Sequence, residues 1–139
     1  MQIQQILTST LEKIRPDTTL REAAEKMREL DCGALPVCEG DRVKGIITDR
    51  DIVVRAVADG GDMQQTPVAQ VMTKNIACCF VDQDISEAAR IMSERQVRRL
   101  PVLNRKNKVV GILSLGDLAL EGNETLAIEA LKCVSEPTH

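Results

Sequence analysis

Two stretches of the chain set a carboxylate three residues after a hydroxyl, each straight after a short apolar run. They are Gly45-Ile46-Ile47-Thr48-Asp49-Arg50-Asp51-Ile52 and Gly111-Ile112-Leu113-Ser114-Leu115-Gly116-Asp117-Leu118. The apolar run reads as a strand, and the residues after it read as the start of a helix. A helix start leaves backbone N–H groups unpaired and suits an anion. The hydroxyl of Thr48 or Ser114 can donate to a phosphate, and the carboxylate of Asp51 or Asp117 can accept from a ribose diol. Such groups suit a nucleotide that is bound and not transformed, and an adenosine nucleotide is the expected ligand. The same spacing is also a helix capping box, with the acid reaching back to the hydroxyl residue. Such a cap contributes about 0.5–2 kcal/mol and needs no ligand. Local sequence leaves both readings open.

Three arginines could add positive charge. Arg50 lies between Thr48 and Asp51, and Arg98-Arg99 precede Leu100-Pro101-Val102. Side chains alternate along a strand, so strand geometry alone does not turn both Arg98 and Arg99 to one side. Each arginine could equally be a solvated charge. No catalytic residue is expected. The one histidine is His139, the last residue, and no nucleophile–base pair, Walker loop or dinucleotide fingerprint is present. The five cysteines, Cys32, Cys38, Cys78, Cys79 and Cys133, are odd in number and form no C-x-x-C pair. They read as small buried hydrophobes, and no metal site is expected. A redox or metal sensor built on Cys78-Cys79 or Cys32 is an alternative.

Composition excludes several classes. The 139 residues include one Phe and no Trp or Tyr, so the core is aliphatic and no aromatic platform exists for stacking bases. The net charge of −3 also argues against nucleic acid as a partner. No run is long and apolar enough to span a membrane. Met1-Gln2-Ile3-Gln4-Gln5-Ile6 lacks the basic and apolar regions of a signal peptide, so a cytoplasmic location is expected.

The elements that must position these groups are duplicated. A shift of 65 carries Thr8 onto Thr73, Asp17 onto Asp82, Glu22-Ala23-Ala24 onto Glu87-Ala88-Ala89 and Leu35-Pro36-Val37 onto Leu100-Pro101-Val102. After one inserted residue the shift is 66, and Gly45-Ile46, Thr48 and Asp51 fall on Gly111-Ile112, Ser114 and Asp117. The expected division is a first repeat at 6–58, a linker at 59–70, a second repeat at 71–121 and a C-terminal helix and tail at 122–139.

Each repeat reads as strand, helix, strand, strand, helix. Apolar spacing predicts helices over 20–30 and 85–95, with Thr18 or Thr19 capping the first. Hairpins should join strands 34–38 to 43–47 and 100–103 to 109–113. Second helices follow at 49–58 and 116–120, and a last helix runs over 124–134. Thr66-Pro67 reads as a cap followed by proline at the first helical position. A copy of about 50 residues buries too little surface to stand comfortably alone. Two copies packed through their sheets make an α/β protein with pseudo-two-fold symmetry.

The doubled pattern, Leu-Pro-Val before the hairpin and Gly-x-x-(Thr/Ser)-x-x-Asp after it, resembles a tandem pair of CBS domains. The likeness covers nearly the whole chain and extends to small stand-alone bacterial CBS-pair proteins of the hypoxic-response or stress type. It implies a non-catalytic regulatory module that binds AMP, ADP or ATP between the copies and forms a homodimer through its helices. A further protein partner is then left open, and so is a scaffold with vestigial clefts. The resemblance also implies shared sites. One cleft would join Thr48, Asp51 and Arg50 to Ile76, Ala77, Val97, Arg98 and Arg99. The other would join Ser114 and Asp117 to Leu11, Glu12, Cys32, Gly33 and Ala34. The arginines make the Thr48/Asp51 cleft the tighter of the two expected sites.

Overall fold

A computed structural model describes residues 1–7 and 12–137. It divides into two compact units, Glu12–Ile76 and Met1–Leu11 with Ala77–His139.

The unit Glu12–Ile76 carries the first repeat. Helix α1 (Leu20–Leu30) starts where Thr19 accepts a hydrogen bond from the Glu22 N–H while the Glu22 carboxylate reaches back to the Thr19 N–H. Of the two expected caps it is Thr19 that serves. The helix buries Leu20, Ala23 and Met27 and ends at Asp31, whose φ of 51° turns the chain out of the helix. Strands β1 (Ala34–Glu39) and β2 (Arg42–Thr48) pair antiparallel, Ala34 opposite Thr48, with an irregularity at Val37/Cys38. The expected extended piece before α1 is a single parallel bridge from Ile14 to Val37.

The same unit is completed by residues beyond its second helix. Val68, Val71 and Met72 are buried in one core with Leu20, Met27, Val37 and Ile47. They belong to and follow a 3₁₀ turn, Val68–Gln70, before which Pro67 is extended and gives no side-chain cap. Neither the expected Thr66 cap nor proline at the first helical position is realised, because the chain enters the turn one residue later, at Val68. Thr73 exchanges backbone hydrogen bonds of 2.9 and 3.0 Å with Ile46. This close approach explains Gly45: a Cβ there would lie 2.6 Å from the Thr73 carbonyl oxygen.

The other unit repeats the plan. Strand β3 (Cys79–Phe80) is short and runs parallel to β4 (Arg99–Leu103). Helix α3 (Ile85–Arg95) is capped by Asp84 and ends at Gln96, φ 53°, the counterpart of Asp31. Strand β5 (Val109–Ser114) pairs antiparallel with β4, Arg99 opposite Ser114. The core joins Met92, Leu100, Val102, Leu113 and Leu118 to Ile3 and Ile6. The first residues of the chain thus pack in the unit that holds the second repeat. A Cβ on Gly111 would meet Leu7 at 2.9 Å, as one on Gly45 would meet Thr73.

Both second helices depart from the expected α form. A single α turn, α2 (Asp49–Asp51), gives way to a π-helix at Ile52–Val57. Likewise α4 (Leu115–Asp117) gives way to a π-helix at Leu118–Gly122. Nothing in residue periodicity separates a π from an α register over so short a run.

Helix α5 (Glu124–Ser135) has no counterpart in the first repeat. Asn123 caps it, and it packs along α3. Its Ala127 joins the core that contains Ala88, Ala89 and Met92. The Gln96 side chain donates to the carbonyls of Cys133 and Glu136 and ties the end of α3 to the end of α5. No helix among the described residues is long and apolar enough to cross a membrane.

Candidate functional site

Both doubled motifs fold as reciprocal caps. In the first repeat the Asp51 N–H donates to Thr48 Oγ at 3.1 Å and the Thr48 N–H donates to Asp51 Oδ2 at 3.1 Å. In the second, the Asp117 N–H donates to Ser114 Oγ at 3.0 Å and the Ser114 N–H donates to Asp117 Oδ2 at 2.8 Å. The capping reading is thus realised in both copies. Each hydroxyl keeps its own proton free to donate to an anion, because it acts in the box as an acceptor.

The two carboxylates differ in what else holds them. Asp51 is buried, and the Thr73 hydroxyl stands 3.5 Å from each of its oxygens. Arg55 Nε lies 3.8 Å from Asp51 Oδ1, one helical step on, and the same guanidinium donates to the carbonyls of Val71 and Met72. Asp117 is half-buried, and its Oδ1 has no partner among the described residues. The position equivalent to Arg55 is Glu121, an anion in place of a cation.

Arg98 and Arg99 lie beside the second motif. The Leu115 N–H donates to the Arg98 carbonyl at 2.9 Å, and Arg99 faces Ser114 across β4–β5. Neither guanidinium has an ion pair or hydrogen bond among the described residues. Both line a hollow of about 720 Å³ whose wall is Ser114, Leu120, Ile128 and Leu131, with Glu124 also on it. The volume is of the size that small-molecule sites occupy.

Gly33 and Ala34 hold the matching place beside the first motif. The Asp49 N–H donates to the Gly33 carbonyl at 3.0 Å, and Ala34 pairs with Thr48. A Cβ on Gly33 would stand 2.9 Å from the Asp49 carboxylate, so a larger residue there would oblige that side chain to swing aside. Within each unit, then, the strand start and the capping box of one repeat are neighbours.

The remaining expected residues are placed as follows. Glu12 is exposed and ion-paired to Lys26 at 3.4 Å, and the Cys32 thiol lies 3.6 Å from the Ala34 carbonyl. Ile76 is half-buried, and Ala77 and Val97 pack against the core of their unit. Arg50 is exposed, with no side-chain partner among the described residues. Leu11 and His139 lie outside the described residues.

Sequence reasoning missed Thr73 and Arg55 as partners of Asp51. A usable signal existed for Arg55, four residues after Asp51 and so on the same helical face. It missed the hollow because that space depends on how α5 lies over the second repeat.

Burial pushes the Cys79 thiol up to about 12, with Cys78 beside it adding to the rise, and burial raises Cys78 as well. Such thiols are poor nucleophiles and poor metal ligands. Among the described residues no group of three or more His, Cys, Asp or Glu is placed to hold a metal.

Comparison with known proteins agrees with this geometry. The CBS domain family matches twice, over residues 3–57 and 68–123. CBS domain-containing protein YhcV of Bacillus subtilis is 38% identical, over 85% of this chain and 83% of its own. The crystal structure of hypoxic response protein I, which holds two coordinated zinc ions, superimposes with a TM-score of 0.78 at 34% identity, covering 87% of this chain and 98% of that one. A hexameric CBS-CP12 protein from bloom-forming cyanobacteria gives a TM-score of 0.79 at 28% identity, over 90% of this chain and 73% of that one. The first match begins at residue 3, although Ile3 itself packs with the second repeat. Two matched segments, two capping boxes and two hairpins in register place the chain in the CBS-domain family, as a tandem pair of the kind that serves as a regulatory module.

Proposed function

We propose that the protein is a non-catalytic sensor that binds an adenosine nucleotide of the AMP, ADP or ATP class and works as a cytoplasmic homodimer. The observation that carries this reading is the pair of unpartnered guanidinium groups, Arg98 and Arg99, lining a hollow together with Ser114. A charged hydrogen bond from either to a phosphate is worth about 1.5–3 kcal/mol. Asp117 adds a free carboxylate oxygen for a ribose hydroxyl.

The engagement of Asp51 alters the expected ranking of the sites. A diol that binds Asp51 must compete with Thr73 and Arg55, whereas one that binds Asp117 displaces nothing. The Ser114/Asp117 motif is therefore the stronger nucleotide-holding half in this proposal, and Thr48/Asp51 the weaker. Regulation follows as a population shift, in which ligand stabilises the conformation it binds best.

Thermal melting with AMP, ATP, S-adenosylmethionine and NAD tests the reading. A ligand at 100 times its Kd should add about 2.7 kcal/mol of stability. Asp117→Asn or Arg99→Ala should weaken binding about tenfold or more, and Asp51→Asn should weaken it less. No shift with any of the four ligands refutes nucleotide sensing and leaves a structural scaffold.

A further inference from the structure

We infer that Glu124, on the first turn of α5, is a ribose-binding carboxylate of the hollow and makes it choose nucleotides over bare phosphates. This rests on the nucleotide reading above and adds the residue that sets the choice.

An acidic side chain in a hollow suited to phosphate calls for a reason. Glu124 lines the same hollow as Arg98 and Arg99, and like them it has no ion pair or hydrogen bond among the described residues. A carboxylate so placed repels an anion that brings nothing else, and it welcomes one that carries O–H donors on the same molecule. A nucleoside phosphate is such a molecule and inorganic phosphate is not.

The capping box leaves room for a second acceptor. Asp117 Oδ2 is held by the Ser114 N–H at 2.8 Å, so Asp117 offers its other oxygen alone. A ribose diol has two hydroxyls. One is answered by Asp117, and the other is left for a carboxylate reaching from α5. Ser114, Leu115 and Gly116 of the motif line the hollow, and the carboxylate on that lining is Glu124.

The helix fixes where Glu124 stands. Glu124, Ala127, Ile128 and Leu131 follow one another at i, i+3, i+4 and i+7, so one face of α5 forms the wall. Ala127 anchors that face in the core, and Asn123 caps the turn that carries Glu124 by accepting from the Leu126 N–H at 3.1 Å. Glu124 is the polar end of the face. Ile128 and Leu131 make the rest of it aliphatic, which suits the flat sides of a base. The first repeat has no counterpart of α5, so the Thr48/Asp51 motif lacks this acceptor.

Titration calorimetry on the full chain tests this with AMP, ADP and ATP, their 2′,3′-dideoxy counterparts and pyrophosphate. The variants are Glu124→Ala and Glu124→Gln. The position is exposed, a melting curve checks that each variant folds, and if one does not, the other carries the test. The wild type should prefer a ribonucleotide to its dideoxy counterpart about a hundredfold, for two charged hydrogen bonds. Glu124→Ala should shrink that preference about tenfold, and Glu124→Gln, which keeps an uncharged acceptor, should shrink it less. Pyrophosphate should bind either variant at least about threefold tighter than wild type, because a like charge is gone. Opposite signs for nucleotide and pyrophosphate are the signature. If both bind the variants more tightly, Glu124 only neutralises the arginines, and its role is overturned while the nucleotide reading stands. The same holds if the preference for ribose is unchanged or pyrophosphate affinity does not rise. A wild type that binds none of the three ribonucleotides overturns both.

Discussion

The two repeats share a backbone plan and a capping box but treat the box's carboxylate in opposite ways. Asp51 is drawn into a buried cluster with Thr73 and Arg55, while Asp117 keeps an oxygen unclaimed and has Glu121 where the first repeat has Arg55. The helical faces diverge in the same sense: the second repeat is covered by α5 and the first is bare. Duplication thus kept the cap, which each fold needs locally, and released the outer groups to specialise. One copy reads as consolidated around its motif, the other as poised to receive something at it.

The largest test asks whether the cores are as alike as the caps. Ile47 and Leu113 are equivalent and both are fully buried. Ile47→Ala and Leu113→Ala should each cost about 2–5 kcal/mol in urea unfolding. A cost confined to one of them would mean that the two units differ in packing, not only in their outer groups.

A medium effect separates the carboxylates. Asp51→Ala should cost about 2 kcal/mol, because it removes the cap and also the acceptor of Thr73 and Arg55. Asp117→Ala should cost about 1 kcal/mol, the cap alone. Equal losses would remove the distinction between engaged and free.

Reactivity offers a third comparison. At pH 8 the Cys79 thiol, with its pKa raised to about 12, should stay neutral and resist a disulfide reagent that labels the half-buried Cys32 and Cys133. The folded state holds this proton more tightly than the unfolded chain does, so the linked stability is full below the ordinary cysteine range and is lost as pH rises from there to about 12. Rapid labelling of Cys79 in folded protein would contradict its burial.

The smallest effect is a gain. Glu121→Arg sets a cation four residues after Asp117, as Arg55 stands to Asp51, and should raise stability by about 0.3 kcal/mol. The same change should weaken ligand binding at Asp117 if that carboxylate is the diol acceptor.

Much of this was legible in the residues. Helices α1 and α3 lie over the expected 20–30 and 85–95, and both hairpins fall in place, because amphipathic spacing and turn residues are local signals. The two capping boxes were readable for the same reason. The π registers of the second helices were not, since no residue pattern separates them from an α register over so short a run. Nor was the Thr73 hydroxyl beside Asp51, which depends on a contact spanning 22 residues. Leu120 and Ile128 have the spacing of ordinary helix positions, and only the placement of α5 gives them a common hollow.

The way the chain shares out its opening residues bears on how it can be cut. Ile3 and Ile6 plug the core of the later repeat, and Val68, Val71 and Met72 plug that of the earlier one. A gene fragment trimmed by the repeat pattern, ending near residue 58, would discard the plug its own fold requires and retain one for an absent neighbour. A cut at 12–76 instead keeps Val68, Val71 and Met72 with their own repeat, and a fragment begun at residue 59 would leave a greasy hole where two isoleucines belong.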